Sequence, residues 1–162
     1  MTRIFFDMDG VLAEFKDVPY EELLEEGFFL NLKPQTEVVR ALEQLSEDPE
    51  FEVCTLSAVI PESPYALQEK KDWLKANVLG NFKSIFLPCG ESKAEAIPGG
   101  IRPTDILVDD YNFNLNDWSK HAVAVKLLNG INHRHGSWKG LIAKNDAKDI
   151  KDVIYRAACK AV

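Results

Sequence analysis

The chain has 162 residues and a formal net charge of −7, and 46% of its residues are hydrophobic. This length and composition predict one globular domain and exclude a disordered, collagen-like or low-complexity protein. Residues 1–50 carry 13 acidic and four basic side chains, and an acidic chain lacks the basic stripe that a nucleic acid polymer requires. A small anionic substrate stays possible, because a bound divalent cation can invert the local field.

The three cysteines are widely spaced and form no CxxC pair. Such a set is typical of reduced thiols in a cytosolic protein rather than of a disulfide framework or a zinc site. The residues after Met1 show no signal-peptide pattern, and no apolar stretch approaches the roughly 18 residues of a membrane span. We therefore expect a soluble, cytoplasmic protein with no membrane partner.

Short apolar runs alternate with helical patterns along the chain, which is the signature of a parallel βαβ fold. The predicted strands are residues 3–6, 51–56, 84–87, 105–108 and 122–125. Apolar residues at helical spacing predict three helices, at residues 34–47, 65–79 and 146–161. In the middle helix the apolar stripe is drawn through Leu67, Trp73, Leu74 and Val78.

Polar residues that can carry chemistry follow three of these strands. Asp7 and Asp9 come after the first strand. Ser57 comes after the second, and the pair Asp109 and Asp110 comes after the fourth. Because ligands of open parallel sheets bind in the crevice at the carboxyl ends of the strands, these side chains are expected to converge there.

The run Asp7-Met8-Asp9-Gly10 places two carboxylates two residues apart. One can act as a nucleophile and the other as general acid and base, while Gly10 lets the backbone turn away from a ligand. An ordinary aspartate-capped turn is the plain alternative for this run. A calcium loop of the EF-hand type is disfavoured, since no acid stands at the required distance after Gly10.

Four acids in one crevice repel each other unless a cation neutralises them, and oxygen ligands of this kind favour Mg²⁺ over zinc or copper. Lys93, after the third strand, can neutralise both a carboxylate and a transferred phosphoryl group. Ser57 and the backbone N–H that follows it can hold a phosphate oxygen. Thr55 lies on the same strand face and is the rival of Ser57 for this role. Helix-capping acids and a solvated lysine are the plain alternatives.

Several short runs occur together in one known enzyme family. They are DMDGVLAEF at residues 7–15, GFFLNL at 27–32, LSA at 56–58, Lys93, and LVDD at 107–110 followed by Asn114 and Trp118. With these runs the sequence resembles the haloacid-dehalogenase-like phosphohydrolases, and within them the 5′(3′)-deoxyribonucleotidases. The resemblance implies a Rossmann-like three-layer α/β sandwich with a central parallel sheet, forming one domain over residues 1–162. It also implies a small helical cap at residues 14–33.

The resemblance also implies a role for each acid. Asp7 would attack phosphorus and form an aspartyl-phosphate. Asp9 would protonate the leaving group and then activate the hydrolytic water. Mg²⁺ would bind the Asp7 carboxylate, the backbone carbonyl of Asp9, and one carboxylate of the pair Asp109 and Asp110.

The remaining implied roles concern the substrate. Three residues would hold the phosphoryl oxygens, namely Ser57, Ala58 and Lys93. Aromatic side chains near the cap form the base pocket in this family, and the matching residues are Phe15, Phe28 and Phe29. A flat aromatic wall suits a nucleobase because stacking tolerates any base. The plain alternative is that these phenylalanines only pack the cap onto the core.

The sequence therefore predicts a Mg²⁺-dependent phosphomonoesterase that hydrolyses (deoxy)nucleoside monophosphates, and a homodimer is compatible with it. The alternatives are a phosphatase for a sugar phosphate or other small phosphoester, and a catalytically idle binding module on the same fold. The run 133–140, with His133 and His135, looks like a metal site, but alternation in an extended segment would turn the two histidines apart. We predict a structural loop there, with Trp138 packed on the core.

Overall fold

The computed structural model describes residues 1–134 and 136–160. The strands in these ranges are β1 (Thr2–Phe6), β2 (Phe51–Val59), β3 (Lys83–Pro88), β4 (Ile106–Asp109), β5 (Val123–Leu127) and β6 (Leu141–Ala143). The α-helices are α1 (Thr36–Ser46), α2 (Ala66–Asn77), α3 (Asn112–Trp118) and α4 (Ala147–Lys160). His135 and Ala161, which belong to the predicted loop and the predicted last helix, lie outside the described residues.

All the described strands form one parallel sheet in the order β3-β2-β1-β4-β5-β6. Helices cover both faces, and the central strands β1 and β4 are therefore buried along almost their whole length. Side chains of α1, α2 and α4 pack in one cluster, and α3 packs with Trp138 in another. Trp73 and Trp118, one in each cluster, are fully buried, and for Trp73 this agrees with its place in the predicted apolar stripe. The predicted three-layer α/β sandwich is confirmed.

Two features of the chain differ from the sequence-based prediction. Strand β2 does not end before Ser57 but continues to Val59, because β3 pairs with it up to the partners Val59 and Pro88. The helix α3 and the strand β6 are additional elements of seven and three residues. Elements this short contain too few apolar repeats to produce a periodic pattern.

Residues 14–33 connect β1 to α1 and contain a 3₁₀ helix at Tyr20–Leu24. Glu69 of α2 anchors the end of this segment, since its carboxylate accepts backbone hydrogen bonds from Gly27 at 2.5 Å and Phe29 at 3.0 Å. The indole of Trp73 donates to the carbonyl of Leu32 at 2.7 Å. The segment is thus held against α2 by buried polar groups. No helix in the described part of the chain is long and apolar enough to cross a bilayer.

Candidate active site

The strand order places the candidate site at the centre of the sheet. The chain runs from β1 outward through β2 to β3 and then returns to β4 on the other side of β1. Ligands of open α/β sheets bind at the carboxyl ends of the strands where the order reverses. Asp7 follows β1, and its backbone N–H donates to Val108 of β4 at 3.0 Å. This pairing sets Asp7 beside Asp109, the last residue of β4.

The loop after Asp7 passes close to the end of β4. Gly10 has φ +77°, and a side chain at this position would overlap the carboxylate of Asp110. Two amide side chains fix the loop, because Gln35 and Asn129 both donate to the carbonyl of Gly10, at 2.7 and 2.6 Å. Asn129 also donates to the Asp110 carboxylate at 2.7 Å. The absence of a side chain at Gly10 thus allows the early acids and the late acids to meet.

Three buried carboxylates face one another at this point. Asp7, Asp109 and Asp110 each offer an oxygen within 4.8 Å of the other two. Lys93 lies between two of them, with its Nζ 2.8 Å from Asp7 and 2.7 Å from Asp109. The lysine side chain is itself 2% exposed. The structure therefore brings four sequence-predicted site residues into direct contact range.

The electrostatics of the cluster follow from burial and from excess negative charge. Burial raises the pKa of Asp7 to about 7, and the charges of Asp109 and Asp9 add to the rise although Lys93 opposes it. Burial also raises the pKa of Asp110 to about 6, with help from the charge of Asp109. Burial by itself lowers the pKa of Lys93, but the Asp109 and Asp7 carboxylates outweigh it and raise that pKa. One lysine does not neutralise this set of acids.

Asp109 and Asp110 have different surroundings. The oxygens of Asp109 accept hydrogen bonds from the backbone of Tyr111 at 2.8 Å and the amide of Asn114 at 3.0 Å, besides the contact with Lys93. Asp110 is held through Oδ2 alone by amide side chains, including Asn132 at 2.6 Å. Asp110 lines the cavity described below, whereas Asp109 lies behind it. Asp110 is therefore the acid of the pair that a ligand can reach.

Lys70 is a site residue that the sequence analysis missed. It lies on α2 and is 1% exposed, and its Nζ contacts the Asp9 carboxylate through Oδ2. The same Nζ donates to Ser57 Oγ at 3.1 Å and to the carbonyl of Ala58 at 2.5 Å. Within the described residues, Oδ1 of Asp9 is buried and accepts no hydrogen bond. Lys70 thus fixes one oxygen of Asp9 and leaves the other available.

Ser57 and Thr55 occupy different positions relative to this cluster. Thr55 is buried, and its hydroxyl bonds to the hydroxyl of Ser84 on β3 at 2.9 Å. Ser57 lies two residues further along β2, where it contacts Lys70. Ala58 lines the cavity that contains the acids. The structure therefore brings Ser57 and Ala58, rather than Thr55, next to the acids.

A cavity of about 510 Å³ opens at the acids. The predicted residues that line it are Asp7, Asp9, Phe15, Ala58, Lys93 and Asp110. Among the described residues that form its wall, Phe28 and Phe29 are missing. The ring of Phe29 is buried with the Lys70 ammonium 4.7 Å from its centroid, and Phe28 packs edge-on between Phe15 and Phe29. The turn anchored by Glu69 directs both rings into this packing, and Phe15 is the member of the aromatic trio that reaches the cavity.

No protein-family model matches the sequence, and no curated protein matches it. Among solved structures, the chain is similar to the D,D-heptose 1,7-bisphosphate phosphatase from B. bronchiseptica, which was crystallised with magnesium and phosphate. The TM-score is 0.66 at 12% identity, and the match covers 96% of this chain and 99% of that chain. The protein therefore shares the α/β fold of that phosphatase. At this identity the likeness shows the fold alone, and the resemblance to deoxyribonucleotidases stays a prediction.

Proposed function

We propose that the protein is a Mg²⁺-dependent phosphomonoesterase. The observation that carries this proposal is the cluster of Asp7, Asp109 and Asp110 beside Lys93. Next to the cluster, Oδ1 of Asp9 is buried and has no hydrogen-bond partner among the residues that the structure describes. The cluster suits a hard divalent cation, because its donors are all oxygens, lie within 4.8 Å of one another and are buried with excess negative charge. The magnesium and phosphate in the structurally similar phosphatase support the same conclusion.

We assign the cation to Asp7 and Asp110, with the backbone carbonyl of Asp9 as a further ligand, and Asp109 supports the site from behind. When bound, Mg²⁺ supplies positive charge that offsets the repulsion between a phosphate monoester and these acids. Lys93 contributes a second, fixed positive charge for the phosphoryl oxygens. Its contacts with Asp7 and Asp109 hold it in position whether or not substrate is present.

The reaction proceeds in two displacements. A carboxylate oxygen of Asp7 attacks phosphorus, the P–O ester bond breaks, and Oδ1 of Asp9 gives its proton to the departing oxygen. Water then attacks the aspartyl-phosphate, Asp9 takes up the proton, and the Asp7 carboxylate leaves as inorganic phosphate forms. Ser57 and the backbone of Ala58 hold phosphoryl oxygens with Lys93. Positioning and charge neutralisation carry most of the catalysis in this chemistry.

For the substrate, we propose a (deoxy)nucleoside monophosphate. The cavity is wide enough for a group larger than phosphate, and its wall includes aromatic side chains such as Phe15. We further propose that residues 14–33, with their 3₁₀ helix at Tyr20–Leu24, form a small cap over one side of it. The competing candidate is a sugar phosphate, favoured by the name of the structurally similar heptose bisphosphate phosphatase.

A panel of monophosphates assayed with and without Mg²⁺ tests the proposal. We expect hydrolysis that requires Mg²⁺, stops with a chelator, and is fastest with nucleoside monophosphates. The variant Asp7→Asn serves as the control for contaminating phosphatases. Equal turnover of sugar phosphates and nucleotides contradicts the nucleotide assignment. A protein that hydrolyses no phosphoester, including an aryl phosphate, is instead an idle binding module.

A further inference from the structure

Two aromatic side chains stand at the mouth of the cavity without packing into the core. Tyr111 follows the acid pair directly and Phe113 lies two residues further along, and each residue is 57% exposed. Their ring centroids are 6.2 Å apart and the ring planes differ by 35°. Large aromatic residues usually bury most of their surface, and a neighbouring pair left in solvent marks a binding surface.

The two rings belong to the same cavity as the reacting groups. Tyr111 and Phe113 line the space that also contains Asp7, Asp9 and Lys93. A molecule whose phosphate lies at the acids therefore extends along these rings if its remaining part is flat and a few ångströms long. The cavity volume of about 510 Å³ has room for both parts.

The backbone that carries the rings is tied to the acid cluster. The N–H of Tyr111 donates to Oδ1 of Asp109 at 2.8 Å, and the side chain of Asn114 donates to Oδ2 at 3.0 Å. Phe113 lies between these two anchors in the chain. A binding surface held in this way keeps a constant distance from the reacting groups, which is what a specificity determinant needs.

The aromatic residues matched to the base pocket by sequence cannot form this surface as a set. Phe28 packs against Phe29, and Phe29 against Lys70, so that of the three matched residues only Phe15 lines the cavity. Tyr111 and Phe113 are the other aromatic side chains among the described residues of its wall. They supply the flat faces that Phe28 and Phe29 do not.

We propose that Tyr111 and Phe113 form the platform on which the planar, unsaturated part of the leaving group stacks. They thereby select nucleobase-bearing or other aromatic phosphomonoesters over small aliphatic ones. The inference rests on the proposed phosphomonoesterase function and names the residues that give it specificity. Stacking of a base on an aromatic side chain contributes enough free energy to change binding by about 5-fold to 150-fold per ring.

The test uses two substrates that differ only in the base, deoxythymidine 5′-monophosphate and 2-deoxyribose 5-phosphate. In Phe113→Ala and Tyr111→Ala, we expect the ratio of kcat/KM for the nucleotide to that for the sugar phosphate to fall about tenfold. The loss should appear mainly in KM, and Phe113→Tyr should restore the ratio because it keeps a ring. Tyr155→Ala, which removes an exposed aromatic side chain on α4, is the matched control and should leave the ratio unchanged.

A binding measurement separates this inference from the proposed function. Calorimetric titration of the nucleotide into Asp7→Asn, with Mg²⁺ present, should give a Kd about tenfold tighter than in Asp7→Asn/Phe113→Ala. Equal losses on both substrates, or an unchanged Kd, overturn the platform while leaving the phosphomonoesterase intact. If neither substrate is hydrolysed but the Kd still shifts, the proposed function fails and the aromatic platform stands. If neither is bound or hydrolysed, both fail.

Discussion

Buried charged side chains lie at both ends of the sheet, but positive and negative charges are equal in number at one end and unequal at the other. At the amino ends of the strands, Arg3 on β1 forms a two-pronged ion pair with Asp105, at 2.9 and 2.6 Å. The carbonyl of Gly100 accepts from the same guanidinium, and the backbone N–H of Arg102 donates to the same carboxylate. One positive charge meets one negative charge, and both groups have further hydrogen bonds to the backbone.

At the carboxyl ends the charges do not balance. Asp9 forms an ion pair with Lys70, and Asp7 and Asp109 form ion pairs with Lys93, whereas Asp110 forms none within the described residues. A third buried lysine, Lys126, donates to the backbone carbonyl of Asp110 rather than to its carboxylate, so that four acids lie beside three lysines. Burying unmatched charge costs stability, and such groups are concentrated at functional sites, where a bound ligand can balance them. The ion pair between Arg3 and Asp105 is therefore suited to stabilise the fold, whereas the acid cluster at the carboxyl ends is suited to bind a cation and a phosphate.

The largest effect is expected from Asp7→Asn. This change removes the nucleophile and a metal ligand together, so kcat should fall at least about a thousandfold. The midpoint of thermal unfolding without Mg²⁺ should stay the same or rise, because one of several mutually repelling carboxylates is gone. Activity within tenfold of wild type, or a marked loss of stability, contradicts the assigned role.

For Arg3→Met, at the other end of the sheet, we expect a loss of stability without a loss of specific activity. Breaking a buried ion pair leaves Asp105 charged and unpaired, which should cost about 3–5 kcal/mol in the free energy of unfolding. The folded fraction should keep its specific activity, since the pair lies at the far ends of the strands. Denaturant unfolding measures the cost, and the double variant Arg3→Met/Asp105→Leu should recover much of it. A failure of the double variant to recover would assign the effect to packing of the Arg3 side chain.

Mg²⁺ binding to the unbalanced cluster can be measured without any substrate. At a concentration one hundred times its Kd, the ion should stabilise the wild-type fold by about 2.7 kcal/mol and raise the unfolding midpoint by several degrees. Asp110→Asn should abolish most of this shift, whereas Asp117→Asn, at a partly exposed acid on α3, should retain it. An equal shift in all three proteins would indicate nonspecific binding.

The sequence predicts the parallel sheet and the meeting of Asp7 with Asp109 and Asp110 at one edge of it, and the structure has both. Central strands are apolar throughout, and the polar residues that follow them stand out by contrast, as Asp7 does after Phe6. The sequence pattern does not point to Lys70. In α2 the structure buries Ala66 and Trp73, whereas Leu67, which the predicted apolar stripe includes, is exposed. Lys70 lies four residues after Ala66 and three before Trp73, which places it on the buried face of the helix, but a lysine in a helical pattern is ordinarily taken to be solvated. Phe28 and Phe29 do not line the cavity, and sequence matching cannot reveal which way a turn directs its rings.

Lys70 and its neighbour Lys71 offer a test of that buried position. Lys70→Met should lower kcat by about 10-fold to 100-fold, because Asp9 loses the partner that fixes its carboxylate for proton transfer. KM should change little, and Lys71→Met, at an exposed site on the same helix, should behave like wild type. Lys70 does not touch the departing group in this account, and its effect should therefore shrink with a leaving group that needs no protonation, such as nitrophenolate. A loss of equal size on nitrophenyl phosphate and on an alkyl phosphate would mean that Lys70 acts through Ser57 and the phosphoryl oxygens instead of through Asp9.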